Sequence, residues 1–346
     1  MDNLDWKTGC FFLLILLLAV QGCRKVEVAC EQSGLAPELG QAPDGFPPIP
    51  FPEGNEFTME RWELGKRLFY DPVLSADSSL SCGSCHHVEL AFADDRPFSP
   101  GIEDRPGTRN APALVNLAYH PYFLREGSVP TLEMQILVPI QEENEFDHNI
   151  VLVAEKLQRD SSYVAQAWAA YGREPDAFVI TRAISTFERT LVSGGSPYDD
   201  WLYRGCEDAL DDSQQRGMAL FFSTRTNCSS CHSGLNFTTY TFENNGLYSD
   251  YTDPGRFRFT NDPADEAKFK VPGLRNVAVT APYMHDGSMA SLEAVVAHYN
   301  GGGAGHVNQS ELVQPLGLSD QEMQDLVHFL EALTDPSFIS NPQFAE

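Results

Sequence analysis

Two short stretches decide the fold of this chain, Cys82-Gly83-Ser84-Cys85-His86 and Cys228-Ser229-Ser230-Cys231-His232. Both have the form C-x-x-C-H, in which two thiols form thioethers with the vinyl groups of a haem and the histidine binds its iron as the proximal ligand. A zinc site would need further cysteine or histidine ligands nearby, and a redox disulfide would not need the histidine. The pair therefore predicts two covalently bound haem c groups in two similar domains.

The composition limits the partners of the protein. The chain has 346 residues, enough for two domains of ordinary size. Its formal net charge of −26 argues against nucleic acid and against an anionic membrane surface as partners. This charge favours small substrates or a basic protein as electron donor. It is equally compatible with an acidic surface that only keeps the protein solvated.

The N-terminus has the pattern of an export signal. Lys7 precedes an apolar run from Phe11 to Val20, which is too short to span a bilayer. We predict that residues 1–22 are a lipoprotein signal peptide and that Cys23 is the lipidated first residue of the mature protein. An ordinary signal peptide and an uncleaved anchor are the alternatives. The lipoprotein hypothesis predicts a periplasmic protein that is attached to the membrane only through its lipid.

The remaining cysteines leave one pairing open. Of the eight cysteines, four belong to the haem motifs, Cys10 lies in the signal peptide and Cys23 is the lipidation site. Cys30 and Cys206 could form a disulfide in an oxidising compartment. Two unreacted thiols agree with the sequence equally well.

The pattern of apolar residues predicts an all-α protein of two cytochrome-c-like haem domains packed together, with irregular loops. A stretch rich in proline and glycine predicts an extended linker at residues 23–55. A break at Ser193 to Pro197 separates an N-terminal haem domain, 56–197, from a C-terminal haem domain, 198–346. Apolar spacing and capping residues predict helices near Phe57–Phe69, Ile150–Tyr171, Asp176–Val192, Ser213–Phe222, Ser291–Tyr299 and Ser319–Leu333, the last with a capping box of Ser319 and Glu322.

Residues from Phe57 to about Leu333 resemble the bacterial di-haem cytochrome c peroxidase family, which includes the MauG-type enzymes. The order and spacing of five strings relative to both C-x-x-C-H motifs carry this resemblance. They are Glu63-Leu64-Gly65-Lys66-Arg67-Leu68-Phe69-Tyr70-Asp71-Pro72, Arg109-Asn110-Ala111-Pro112, Leu132-Glu133-Met134-Gln135, Val271-Pro272-Gly273-Leu274-Arg275-Asn276 and Ala281-Pro282-Tyr283-Met284-His285-Asp286-Gly287.

The resemblance implies an oxidoreductase of the cytochrome-c peroxidase type. Its N-terminal haem would cleave hydrogen peroxide to water, and its six-coordinate C-terminal haem would relay electrons from a small cytochrome or a cupredoxin. A calcium ion would lie between the domains, and the protein could be a homodimer, as family members often are. Two alternatives stay open: a MauG-like enzyme that uses peroxide to oxidise residues of a partner protein, and a non-enzymatic di-haem electron carrier.

The resemblance also implies a peroxide site. Cleavage of peroxide needs an open iron position and a group that moves a proton from the inner to the outer oxygen. Glu145 matches the distal glutamate of the family, Gln135 a distal glutamine ten residues earlier, and Pro139 the distal wall. By spacing alone, Glu142 or Glu143 would serve as well as Glu145.

Some family members close the N-terminal haem with a distal histidine in the loop after the first motif. Residues 88–119 contain no histidine. His87 adjoins the proximal ligand and is poorly placed to cross the haem ring, while His120 and His148 are more distant candidates. We therefore expect a five-coordinate or water-bound N-terminal haem, which is a feature of MauG-type enzymes.

Tyr299 matches the sixth ligand of the C-terminal haem, fourteen residues after His285. Peroxidases of the family usually have methionine at this position, and MauG-type enzymes have tyrosine. A phenolate lowers the reduction potential of haem iron, whereas methionine raises it. If Tyr299 only packs, then Met284, Met289 or His298 would be the ligand.

The resemblance assigns the calcium site and the contact between the haems. The side-chain oxygen of Asn110 and the backbone carbonyls of Thr280 and Pro282 would bind calcium, unless Asn110 only caps a turn. Arg275 could pair with a haem propionate. Arg125 stands where the family has a tryptophan between the haems; it could pair with propionates, and it counts against a complete MauG mechanism.

Overall fold

The computed structural model describes residues 38–346. The predicted signal peptide, the predicted lipidation site Cys23, and Cys30 lie outside the described residues. From residue 38 onward, no helix is long and apolar enough to cross a membrane. Cys206 is disulfide-bonded.

The described chain is helical with irregular loops, and the predicted all-α class is confirmed. One antiparallel pair of two-residue strands, Phe242–Glu243 (β1) and Phe269–Lys270 (β2), forms the sheet of the described part. The α-helices are Met59–Tyr70 (α1), Leu132–Gln135 (α2), Leu137–Gln141 (α3), Ile150–Gln158 (α4), Ser161–Tyr171 (α5), Ala177–Arg189 (α6), Pro197–Tyr203 (α7), Asp212–Phe221 (α8), Cys228–Cys231 (α9), Phe257–Thr260 (α10), Leu292–Gly301 (α11), Asp320–Glu331 (α12) and Pro336–Ile339 (α13).

The same helix crossing occurs twice. In the N-terminal half α1 packs against α6, and in the C-terminal half α8 packs against α12. At each crossing a glycine touches a backbone carbonyl of the other helix, Gly65 that of Ala183 and Gly217 that of Asp325, and an added Cβ would overlap the oxygen. Glycine is therefore what lets each pair of helices approach closely, just before each C-x-x-C-H motif in the chain.

Two separate hydrophobic cores lie on these crossings. The first is formed by residues between Trp62 and Leu191, and the second by residues between Tyr198 and Leu333. The chain then returns to the first core, because Phe338 and Phe344 belong to it. The final residues thus pack with the N-terminal half, although the sequence analysis assigned them to the C-terminal domain.

One predicted helix is divided. The apolar pattern predicted a continuous helix over Ile150–Tyr171, whereas α4 and α5 are separate helices. Asp160 lies between them in an extended conformation, and its side chain accepts a hydrogen bond from the backbone N–H of Ser162. This cap starts a new helix in a new direction. The predicted capping box of Ser319 and Glu322 at the start of α12 is confirmed.

The described part of the predicted linker is irregular, but it lies against the protein. Phe46 makes edge contacts with the rings of Tyr119 and Tyr203, and the Tyr119 hydroxyl donates to the carbonyl of Pro47. Asn55 is 1% exposed. Residues near the end of this segment are therefore part of the folded body and not a free spacer.

Candidate active site

The first C-x-x-C-H motif starts in the tight turn Cys82–Ser84. The thiols of Cys82 and Cys85 are free. The Nδ1 atom of His86 lies 2.6 Å from the carbonyl oxygen of Phe92. Because a carbonyl can only accept, Nδ1 carries the proton and Nε2 remains for an iron atom.

The second motif repeats this arrangement. Helix α9 contains the free thiols of Cys228 and Cys231, and Nδ1 of His232 lies 3.1 Å from the carbonyl oxygen of Phe237. Burial lowers the pKa of the His232 imidazole, as it does for the first motif, and so keeps the ring in the neutral form that binds metals. Each motif thus offers two thiols and an oriented imidazole, which fit a covalently bound haem c.

A cavity of about 410 Å³ extends from the second motif into the N-terminal half of the protein. Its volume is that of a typical ligand or cofactor pocket. Most of the predicted site residues line this cavity. They are Asn110, Arg125, Gln135, Cys228, Cys231, His232, Arg275, Thr280, Pro282 and Tyr299. The site of the C-terminal haem is therefore continuous with the region between the two halves, and Gln135 contributes to this shared cavity.

Two candidate ligands of the C-terminal haem lie in this cavity. Tyr299, on α11, and Met284 both belong to its lining. Asn245 contacts both, since its Nδ2 lies 3.2 Å from Met284 Sδ and its side chain hydrogen-bonds Tyr299. Burial raises the pKa of Tyr299 to about 12, and the Asn245 hydrogen bond acts against that rise. The described lining residues do not include Met289 or His298.

Glu145 lies in the loop between α3 and α4, and its backbone is fixed on both sides. Its carbonyl accepts a hydrogen bond of 2.8 Å from Ile102 N, and its N–H donates over 3.0 Å to the carbonyl of Glu142. Gly101 packs directly against the carbonyl of Asn144. The loop with Glu145 therefore rests on the segment that begins at Gly101.

Further contacts hold the ends of this loop. Arg105 donates to the carbonyl of Glu143 and pairs with the carboxylate of Asp147 at 2.8 Å. The N–H of Phe146 donates over 3.2 Å to the carbonyl of Pro139. Pro139, the predicted distal wall, thus lies beside the loop that carries Glu145.

The electrostatics connect Glu145 to the first motif. Glu145 is solvent-exposed as a residue, but protein atoms surround much of its carboxyl group. Such an environment is expected on the wall of a recess. Burial and the neighbouring Glu142 carboxylate raise its pKa to about 7. Burial raises the pKa of the Cys82 and Cys85 thiols, and the charge of Glu145 adds to this rise at both. Glu145 is therefore close to the cysteines that would hold the N-terminal haem.

A second carboxyl near Cys82 was missed by the sequence analysis. Glu188, on α6, is 3% exposed, and its Oε2 has no hydrogen-bond partner among the described residues. Burial raises its pKa to about 8, and its charge contributes to the raised pKa of the Cys82 thiol. Between Phe187 and Arg189 in an amphipathic helix, a glutamate gives no sequence signal of such an environment.

The three remaining histidines considered for the N-terminal haem lie in different environments. His120 lines the shared cavity, its buried Nδ1 has no partner in the described part, and burial lowers its pKa to about 3. The buried Nε2 of His148 also lacks a described partner. The backbone of His87 pairs with that of Ala93. The coordination number of the N-terminal haem stays a prediction.

Arg275 forms a buried ion pair. Its Nη1 lies 2.8 Å from Oδ2 of Asp199, and the two side chains are 3% and 0% exposed. Its Nε donates over 2.7 Å to the carbonyl of Leu235. Asp199 thus already balances the charge of Arg275, and its pairing with a haem propionate stays a prediction.

Asn110 joins the two halves, and its side-chain oxygen already has a hydrogen-bond donor. Its N–H donates over 2.9 Å to the carbonyl of His285, and its Nδ2 donates over 3.1 Å to the carbonyl of Arg96. Its Oδ1 accepts from Nη2 of Arg125 at 3.2 Å, and the same nitrogen lies 2.7 Å from the Asn110 carbonyl. The oxygen predicted to bind calcium therefore already accepts from a cation.

Comparisons with known proteins agree with this arrangement. The family model "Di-haem cytochrome c peroxidase" matches residues 59–208, and the model "Cytochrome c" matches residues 214–334. Methylamine utilization protein MauG of Methylorubrum extorquens is 38% identical over 300 residues, which are 85% of this chain and 84% of that protein. Cytochrome-c peroxidase IdrP1 of Denitromonas iodatirespirans is 33% identical in a gapped alignment of 363 positions that covers 95% of each chain.

A solved structure is similar over nearly its whole length. It is a MauG-like protein associated with microbial copper homeostasis, with 35% identity and a TM-score of 0.83, and the match covers 88% of this chain and 97% of that one. This chain therefore belongs to the di-haem cytochrome c peroxidase family, in its MauG-like branch, and is a peroxidase-type oxidoreductase with two haem c groups.

Proposed function

We propose that this enzyme reduces hydrogen peroxide to water at its N-terminal haem, with electrons that an external redox protein delivers through the C-terminal haem. The observation that carries the proposal is the fixed backbone of Glu145, together with the effect of its charge on the pKa of the Cys82 and Cys85 thiols. A protein that only carries electrons needs no proton-transferring carboxyl at a haem.

The proposed role of Glu145 is proton transfer. When bound, the N-terminal haem supplies the open iron position that holds peroxide. Each peroxide consumes two electrons and two protons and yields two water molecules. The Glu145 carboxylate accepts the proton of the inner oxygen and returns it to the outer oxygen, which then leaves as water. With a pKa of about 7, both forms of the carboxyl are present at neutral pH.

Gln135 and Pro139 complete the proposed peroxide site. Gln135 lines the shared cavity, where its amide can donate a hydrogen bond to an oxygen and accept one from a hydroxyl. Pro139 adjoins the Glu145 loop through its carbonyl, and we propose it as the wall of the site. Both residues orient the substrate and take no proton from it.

Tyr299 is the proposed sixth ligand at the C-terminal haem. The side chain lies in the cavity with Cys228 and His232. Coordination requires loss of the phenol proton, which the positive charge of a metal favours and the Asn245 hydrogen bond assists. A phenolate stabilises the oxidised state of iron. Met284 is the alternative ligand.

We further propose that the protein acts in the periplasm, attached by a lipid at Cys23. The C-x-x-C-H motifs and the disulfide at Cys206 support an oxidising compartment. The net charge of −26 favours a small cytochrome or cupredoxin with a basic face as the electron donor.

A MauG-like reaction, in which peroxide oxidises residues of a partner protein, is the second candidate. Tyr299 in the cavity of the C-terminal haem favours it, as does the likeness to MauG of Methylorubrum extorquens. Arg125 counts against it, because an arginine cannot relay electrons between the haems as an aromatic side chain would.

Optical and EPR spectra of the ferric di-haem protein, before and after one equivalent of peroxide, test the proposal. We expect one high-spin and one low-spin haem, and rapid loss of the high-spin signal on mixing. Two low-spin haems that do not react with peroxide would contradict the proposal and support an electron carrier.

A turnover assay separates the two enzymatic candidates. The di-haem protein is mixed with peroxide and a reduced small basic cytochrome, and oxidation of the cytochrome is followed. Fast catalytic turnover supports the peroxidase. Slow turnover, together with an oxidised enzyme that persists for minutes after peroxide, would support the MauG-like reaction.

A further inference from the structure

We propose that the guanidinium of Arg125 is a built-in cation that takes the place of calcium between the two halves of this protein. This role of the guanidinium does not depend on which reaction the haems perform. It follows from the contacts of Asn110, from the charges around Arg125 and from the cavity that both residues line.

The side-chain oxygen of Asn110 already has a cation as its hydrogen-bond donor in this arrangement. Its Nδ2 donates over 3.1 Å to the carbonyl of Arg96, which fixes the orientation of the amide. Its Oδ1 therefore points to the other side, where Nη2 of Arg125 donates to it over 3.2 Å. The same nitrogen donates over 2.7 Å to the backbone carbonyl of Asn110. One guanidinium nitrogen thus binds two oxygens of a single residue.

The same two residues connect the halves of the protein. The N–H of Asn110 donates over 2.9 Å to the carbonyl of His285, and the carbonyl of Arg125 accepts over 2.6 Å from the N–H of Lys270. Thr280 lines the same cavity as Arg125 and Asn110. The guanidinium thus holds Asn110 within the N-terminal half, and Asn110 in turn binds the C-terminal half through its backbone N–H.

The surrounding charges favour a monovalent organic cation over a divalent ion. Charged groups of both signs act on Arg125, namely Arg109, Lys270, Glu126, Asp253 and Asp286. The acids are already engaged: Arg109 pairs with Asp253 at 2.7 Å and with Glu126, and the Tyr248 hydroxyl donates over 2.7 Å to Asp286. Calcium prefers several oxygen ligands, often carboxylates. Here it would meet two cations, Arg125 and Lys270, without a free carboxylate among these groups.

The Arg125 guanidinium can also donate a further hydrogen bond to a group in the cavity. Its buried Nε has no hydrogen-bond partner in the described part of the chain, and neither does the buried Nδ1 of His120 on the same lining. Haem propionates are carboxylates, and a guanidinium binds carboxylates in a planar, charge-assisted geometry. The same side chain can therefore hold Asn110 with one nitrogen and a propionate with another.

The calcium content of the purified di-haem protein tests this proposal. The protein is desalted without chelator, and calcium is measured by elemental analysis; its melting temperature and EPR spectrum are then compared with and without EGTA. We expect far less than one calcium per chain and no effect of EGTA. Stoichiometric calcium would overturn the proposal, whether or not its removal changes the melting temperature.

The variant Arg125→Ala tests the hold of the guanidinium on Asn110. Loss of the charged hydrogen bonds to Asn110 should lower the melting temperature by about 3–6 °C. Arg159→Ala is the matched control, because Arg159 is 78% exposed in its side chain and forms only a 3.9 Å ion pair with Glu155; its melting temperature should stay within about 1 °C of the wild type. An unchanged melting temperature of Arg125→Ala would overturn the proposal. If that variant does not fold, the calcium measurement on the wild type still decides.

Discussion

Gly101 packs against the backbone carbonyl of Asn144 so closely that a Cβ at position 101 would overlap the oxygen. Asn144 directly precedes Glu145, whose own carbonyl accepts a 2.8 Å hydrogen bond from Ile102. The missing side chain at position 101 is thus what lets the loop with Glu145 lie on this segment.

Gly101→Ala should displace Glu145 and slow the reaction with peroxide. The added methyl group has no room, so the loop must shift, and a small misplacement of a reacting group can cost up to about 100-fold in rate. We expect a decrease of at least about 10-fold, and a loss of about 1–3 kcal/mol of unfolding free energy from overpacking. Stopped-flow mixing of the ferric protein with peroxide measures the rate, and denaturant titration the stability.

Gly301→Ala is the control for this substitution. A Cβ at position 301 would meet no atom within 4 Å, so the peroxide rate should stay that of the wild type. If Gly101→Ala reacts as fast as Gly301→Ala, then the packing of Gly101 does not position Glu145.

Glu145→Gln should slow the peroxide reaction and remove its pH dependence near neutrality. Burial and Glu142 raise the pKa of Glu145 to about 7. Below this pH the carboxyl is protonated and cannot accept a proton from peroxide. The wild-type rate should therefore rise with pH through about 7 and then level off, while the variant should be about 10²–10⁴-fold slower at high pH without this rise.

Two neighbouring variants sharpen this test. Glu142→Gln removes a negative charge that raises the pKa of Glu145, so its rate profile should shift to lower pH. Glu143→Gln should keep the wild-type rate, because only its backbone carbonyl contacts Arg105. A wild-type rate in Glu145→Gln would remove Glu145 from the mechanism.

Arg275→Ala should destabilise the fold. Removal of the guanidinium leaves Asp199, 0% exposed, as an uncompensated buried charge, which typically costs about 3–5 kcal/mol. Denaturant unfolding measures this loss. Arg225→Ala, which breaks an exposed ion pair with Glu322, should cost at most about 1 kcal/mol.

The haem potentials distinguish the two roles considered for Arg275. The double variant Arg275→Ala/Asp199→Ala removes a pair whose charges balance each other, so the midpoint potential of its C-terminal haem should be that of the wild type. A shifted potential with unchanged stability would instead support the predicted contact with a haem propionate.

Local chemistry made much of the fold predictable. Asp71 followed by Pro72 ends α1, and Ser319 with Glu322 starts α12, because caps depend on neighbours in the chain. The division between α4 and α5 was missed because the apolar pattern continues across Asp160, and an acidic residue fits a helix surface as well as a cap.

Other features depend on contacts between distant segments. The C-x-x-C-H motifs identify the haem sites by themselves, whereas the bond from Arg125 to Asn110 depends on how two loops meet. The burial of Glu188 depends on how the helices pack. The contact of Asn245 with Met284 depends on the path of an irregular loop. No spacing rule covers such contacts, so the sequence could not predict them.

Tyr299→Phe should convert the C-terminal haem from low-spin to high-spin, because phenylalanine offers no oxygen to the iron. Tyr299→Met should keep a low-spin haem and raise its reduction potential, since methionine favours the reduced state. Met284→Leu is the matched control, because Met284 lines the same cavity and also contacts Asn245; its EPR spectrum should be that of the wild type. A low-spin signal that survives Tyr299→Phe but is lost in Met284→Leu would make Met284 the ligand.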